Sequence, residues 1–325
     1  MILQKIQEGV YAQNGLLEKI KEIDSIIFDC DGVLIDITNS YDLTIQRTTT
    51  YVLKEIANIQ KFEPVTSKII DGFKATGGFN DEVDLTYAAI ISLAAANTLN
   101  KNGKQFIFEV IDNADQTGIK SVEKYLEGLK VDLSELRKKL DYPGRHEENL
   151  LYSIFDQLFY GPELYKKLFN KNSTFTDKGL IENDIVLIKK ELLDKLKKKF
   201  GNKIAIVSGR GIESIRYSLK ELLDEFNVDK SIFLEDESRE LAKPNPKSII
   251  KTFQGIDATN CLYVGDSMED LIMAKKATEM GNKITFCGII GTSNFPDEKS
   301  KLFEEQKAPL ILNSIDLLPK VLNLV

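Results

Sequence analysis

Two patterns of apolar and polar residues divide the chain. Short, nearly continuous runs rich in Ile, Val, Phe and Leu predict buried strands over 25–30, 203–208, 231–235, 261–265, 283–288 and 309–313. Between the later runs, apolar residues recur at helical spacing over 183–200, 212–226, 246–254 and 268–280. Strands alternating with amphipathic helices predict an α/β fold, a doubly wound, Rossmann-like parallel sheet. The stretch 38–182 reads differently: helical stripes in "YDLTIQRTTTYVLKEIA", "EVDLTYAAIISLAAANTL" and "GIKSVEKYLEGL", and no convincing strand. It is read as a large helical domain inserted into the first crossover, so that 1–37 and 183–325 together form a discontinuous core and 38–182 the insertion.

A length of 325 residues suits two domains rather than one. Hydrophobic content of 42% and charged content of 29% are those of an ordinary globular protein. A net charge of −7 argues against a nucleic-acid partner, which demands a dense basic face. The lysines of "KKELLDKLKKKFGNK" (Lys189, Lys190, Lys195, Lys197 to Lys199) alternate with a leucine stripe and read as a solvated helix face. Cys30, Cys261 and Cys287 lie far apart in apolar runs, as small buried hydrophobes do. The N-terminal segment breaks its apolar residues with charges, unlike a signal peptide, and no apolar run approaches membrane-spanning length. A cytoplasmic location, with no membrane partner, is expected; the oligomeric state leaves no trace in the sequence.

In an open parallel sheet, ligands bind outside the carboxyl ends of the strands, so polar residues ending the strands matter most. "SIIFDCDGVLIDIT" supplies Asp29, Asp31 and Gly32; "IAIVSGRG" supplies Ser208, Gly209 and Arg210; "ELAKPNP" supplies Lys243; "CLYVGDSMED" supplies Asp266 and Asp270. Carboxylates converging in one crevice repel one another unless a cation joins them. With only oxygen donors nearby, Mg²⁺ is the natural candidate. Ser208, Lys243 and the amides after Gly32 and Gly209 would complete an anion cradle. Cys30 falls between the two aspartates but alternates to the opposite face, and Asp36 reads as a turn or hinge residue.

The order "FDCDGVL", "IVSGR", "AKPNP", "VGDSMED" resembles the haloacid dehalogenase superfamily, in its phosphatase-type branch, with a helical cap between the first and second motifs. The resemblance covers only these short motifs, and the insertion is long for such a cap. It implies that Asp29 is a nucleophile forming an aspartyl-phosphate, and that Asp31 protonates the departing oxygen and then activates water. It further implies that Asp29, the Asp31 carbonyl and Asp266 hold Mg²⁺, with Asp270 orienting them, while Ser208 and Lys243 neutralise the phosphoryl oxygens. The second aspartate favours phosphoryl chemistry over dehalogenation, and the lack of membrane helices sets aside the ion pumps that share this chemistry.

The expected function is therefore Mg²⁺-dependent hydrolysis of a small phosphomonoester, the partner being a small phosphorylated metabolite. A phosphotransferase or phosphomutase of the same fold and a non-catalytic sensor of a phosphorylated metabolite are the alternatives. Specificity is expected from the cap. Within "DGFKATGGFNDEVDLTYAA", Asn80, Asp81, Glu82 and Asp84 crowd a helix start, where capping accounts for most of them. Lys74, Asn80 and Arg47 are the candidate substrate contacts from this region, with a salt bridge the plainer reading of Arg47. His146, beside a Pro-Gly turn, receives no role.

Overall fold

A computed structural model describes residues 3–79, 81–144 and 149–324. The chain forms two compact units, one from Met1–Ile37 and Ile185–Val325, the other from Thr38–Asp184. In the first, strands β1 (Leu3–Gln7), β2 (Val10–Gln13), β3 (Ser25–Phe28), β4 (Ile35–Asp36), β5 (Ile185–Val186), β6 (Ile204–Ser208), β7 (Ile232–Phe233), β8 (Cys261–Gly265), β9 (Ile284–Ile289) and β10 (Leu310–Leu312) form a main sheet and a small ribbon. The sheet order is β1-β2-β10-β9-β8-β3-β6-β7, and every neighbour from β10 to β7 runs parallel. The fold is the expected α/β, Rossmann-like parallel sheet with a large helical insertion.

The central strands are apolar throughout because helices cover both faces. Ser25–Phe28, Ile204–Ser208 and Cys261–Gly265 are buried at every position. One side of the sheet packs on Lys247–Gly255 and Met268–Glu279, through Ile249, Phe253, Leu271 and Ala274 among others. The register places Phe28 beside Ile206 and Val264. Asp29, Ser208 and Asp266 therefore stand side by side at the carboxyl ends of their strands.

The strand 231–235 shortens to Ile232–Phe233 because the chain turns immediately to serve the neighbouring helix. Glu235 and Asp236 accept hydrogen bonds from the amides of Gly211 and Ile212, at 2.7 and 2.8 Å. The helix expected over 183–200 starts only at Lys190; Ile185–Val186 instead pairs antiparallel with Ile35–Asp36. That ribbon lies where the chain leaves for the insertion and returns. The N-terminal segment, for which no strand was expected, is a hairpin adding two antiparallel strands to the sheet edge through β2 and β10. Val10 and Ala12 are buried while the strand Leu3–Gln7 stays largely exposed, so its charges face solvent.

Among its described residues the second unit is helical, apart from turns and loops. Its central helix Glu82–Thr98 is buried from Leu85 to Ala96 and is apolar around its circumference, as a helix surrounded by others must be. Tyr41–Tyr51, Ser67–Ala75, Gly103–Asp112, Ile119–Gly128, Ser134–Leu140 and Leu150–Phe169 are its other α-helices among the described residues, the last kinked at Gly161–Pro162. Asp81 caps the central helix, accepting from the amides of Val83 and Asp84 at 2.8 and 3.3 Å. No helix among the described residues is long and apolar enough to cross a membrane.

Candidate active site

Strand β3 delivers Asp29 directly past its last residue. Its carboxylate accepts the amide of Cys30 at 2.7 Å and lies 2.9 Å from the ammonium of Lys243, and the side chain is 6% exposed. Burial, reinforced by Asp270, Asp266 and Asp31, raises its pKa well above the ordinary carboxylate range despite Lys243. Lys243 is fully buried between Asp29 and Asp270, the latter 2.7 Å away. Burial alone would lower the lysine's pKa, but these two carboxylates outweigh it and hold the ammonium protonated beyond the usual range.

Asp31 lies two residues on, at the start of a tight turn in which Gly32 adopts a φ of +69°. A Cβ on Gly32 would stand 2.2 Å from a carboxylate oxygen of Asp266, so the turn and Asp266 fit only with glycine there. Arg210, 2% exposed, places its Nε 2.8 Å from Asp31 Oδ1, donates through Nη1 to Ser218 at 3.2 Å, and its amide donates to Ser208 Oγ at 3.3 Å. Arg210 thus fixes Asp31 in place. Ser208 is completely buried at the end of β6, and the Gly209 carbonyl accepts the Glu235 amide at 3.1 Å.

Asp270 has both carboxylate oxygens committed. One accepts the Tyr263 hydroxyl at 2.6 Å; the other accepts the amides of Asp266 and Ser267 and the Ser267 hydroxyl. Ser267 in turn accepts the Asp270 amide, closing a capping box at the start of Met268–Glu279. Burial opposes the charge on Asp270, but Lys243 and these donors depress its pKa. Gly265 lets the carboxylate lie against the strand end, since a Cβ there would come within 2.6 Å of Asp270.

The spacing of ligand atoms suits a small cation. One carboxylate oxygen each from Asp29, Asp266 and Asp270 lie within 4.8 Å of one another. This all-oxygen set fits a hard divalent ion. These carboxylates also have cations of the chain's own, Lys243 on Asp29 and Asp270 and Lys299 on Asp266 at 2.7 Å, and the neighbouring Asp31 has Arg210. The repulsion that the sequence assigns to a metal alone is therefore answered in part by the protein, while Asp29 keeps a raised pKa.

Asp29, Asp31, Gly32, Ser208, Gly209, Arg210, Lys243, Asp266 and Asp270 all belong to the first unit, at one end of its sheet. Arg47 and Lys74 belong to the helical unit. Arg47 is half exposed, 4.0 Å from Asp177, and Lys74 lies 3.5 Å from Glu82. Asn80 and His146 lie outside the described residues. Tyr263, Thr292 and Lys299 went unnoticed in the sequence. Thr292 donates to the Gly32 carbonyl at 2.7 Å. Tyr263 had a signal, being two residues before Gly265 on one strand face, whereas Lys299 looks like any surface-helix lysine.

A family model described as haloacid dehalogenase-like hydrolase matches residues 23–278. Solved structures share the fold. A phosphatase, Tt82, from Thermococcus thioreducens is 19% identical, with a TM-score of 0.55 over 81% of this chain and 92% of its own. A structural-genomics target is 20% identical, with a TM-score of 0.58 over 93% and 98%. No curated protein matches the chain.

Proposed function

The chain belongs to the haloacid dehalogenase-like hydrolases, and we propose that within this family it hydrolyses a small phosphomonoester through an aspartyl-phosphate on Asp29. The observation that carries the reading is the buried Asp29 held against Lys243, with Asp31 two residues away fixed by Arg210. A carboxylate for in-line attack and a second for proton transfer thus stand at one strand end.

Asp29 attacks phosphorus as the bond to the leaving oxygen breaks, and Asp31 delivers a proton to that oxygen. The ionised Asp31 then takes a proton from water as the water attacks phosphorus, releasing phosphate and restoring Asp29. Lys243 and Ser208 hold the transferring oxygens. Asp29, the Asp31 carbonyl and Asp266 would hold Mg²⁺, with Asp270 fixing the Asp266–Ser267 backbone behind them. The ion would supply neutralisation of charge on the phosphoryl oxygens. Substrate discrimination is assigned to the helical unit, with Arg47, Lys74 and Asn80 as its candidate contacts.

The test is phosphate release from a panel of phosphomonoesters, with Mg²⁺ or chelator, for the wild type and Asp29→Asn. Release that needs the metal and falls at least about 10³-fold in the variant is expected. Metal-independent release, or an Asp29→Asn enzyme of normal activity, would overturn the mechanism. Phosphate passed to an added alcohol in preference to water would make the protein a transferase.

A further inference from the structure

Two lysines meet the carboxylates of this site, and their surroundings differ. Lys243 is fully buried and clamped between Asp29 and Asp270. Lys299 pairs with Asp266 alone among the described ion pairs, at 2.7 Å, and the two side chains remain 18% and 23% exposed. Its backbone is well anchored: the helix Pro296–Glu305 packs through the fully buried Phe303, and the preceding loop is tied to the nucleophile turn by the Thr292 hydroxyl on the Gly32 carbonyl. A fixed backbone, a flexible four-carbon stem and a route to solvent let the ammonium withdraw without moving the loop.

We propose that Lys299 is the counter-ion a divalent cation must compete with for Asp266, and that it sets how tightly the site takes the ion. This rests on the reading that Asp29, Asp266 and Asp270 surround such a cation. An ammonium 2.7 Å from one oxygen of Asp266 places a positive charge beside any metal bound to that carboxylate. Loading the metal is then an exchange of one cation for another. Lys243 takes no part in the exchange, because its side chain is wholly buried, bridges two carboxylates and has no route to solvent.

Lys299→Gln and Lys299→Met remove the competing charge, while Lys299→Arg keeps it. Metal-stripped full-length proteins would be titrated without substrate, with Mn²⁺ followed by the paramagnetic resonance of the free ion and with Mg²⁺ followed by calorimetry. Both neutral variants should bind each ion about three- to tenfold more tightly than the wild type, and Lys299→Arg within about twofold of it. Thermal melting in chelator identifies any variant that fails to fold, and the other neutral variant then carries the comparison. Unchanged or weaker affinity in folded neutral variants, with the wild type binding normally, would overturn the role of Lys299. Failure of every folded protein, wild type included, to bind either ion would instead remove the metal reading and this inference with it.

Discussion

Strand β3 carries an aspartate at each end, Asp24 before it and Asp29 after it, and the fold treats the two in opposite ways. Asp24 accepts from the Thr259 amide and hydroxyl and from the Asn260 amide, at 3.0 to 3.2 Å, and lies 3.1 Å from Lys203. Burial works against its charge, but these donors prevail and bring its pKa down to about 2. Asp29 has a lysine too, yet burial and three neighbouring carboxylates raise its pKa. One end ties together the starts of β3, β6 and β8. The other gathers like charges where a nucleophile can use them. Sites of function commonly give up stability in this way.

The difference should show most strongly in the lysines. Lys243→Met leaves Asp29 and Asp270 buried without their shared cation, and should lower unfolding free energy by about 3–5 kcal/mol. Lys203→Met, at the partly exposed opposite end, should cost about 1 kcal/mol or less. Urea unfolding in chelator measures both. Equal losses would mean that the two ends are alike in energy and that burial of Lys243 has no special consequence.

Asp29→Asn sharpens the contrast because it should reverse the usual sign of a substitution. A carboxylate with a raised pKa binds its proton more tightly in the folded state, so its contribution to stability falls as pH rises from the unfolded pKa to the folded one. Asn removes that charge while Lys243 keeps Asp270. The variant should be more stable than the wild type at neutral pH in chelator while losing activity. A folded, inactive variant with lower stability would show that the Asp29–Lys243 attraction outweighs the burial of charge.

The same contrast explains what the sequence disclosed. The core strands, the helical insertion and the positions of Asp29, Ser208 and Asp266 were legible because burial imposes apolar runs and polar residues stand where those runs stop, whereas Lys243 lies in a loop and was singled out by the order of the motifs. The N-terminal hairpin was not legible, since Leu3–Gln7 is a short, exposed edge strand whose polar residues Gln4, Lys5 and Gln7 obscure the alternation. The pairing of Ile35–Asp36 with Ile185–Val186 joins segments separated by the whole insertion, and no local pattern reports such a pairing. Arg210 follows a strand end, where a substrate contact and a salt bridge are equally open readings of the sequence; the structure brings it to Asp31. Lys299 reaches Asp266 from a helix whose other charges are solvated, so only the tertiary fold singles it out.

Asp24→Asn offers a modest effect and the clearest dependence on pH. The folded pKa of about 2 lies below the ordinary value of 3.8, so the unfolded chain binds the proton more readily. Stability from Asp24 is accordingly present in full above the unfolded pKa and lost as pH falls through the folded one. With a side chain 30% exposed and its lysine 34% exposed, the screened contribution is about 1–2 kcal/mol. Urea unfolding of wild type and variant should differ by that amount at neutral pH, and the gap should narrow as pH falls from about 5 towards 2. A gap independent of pH would assign the stabilisation to the shape of the Thr259–Asn260 turn rather than to charge. The opposite slopes expected for Asp24 and Asp29 would then no longer distinguish the two ends of β3.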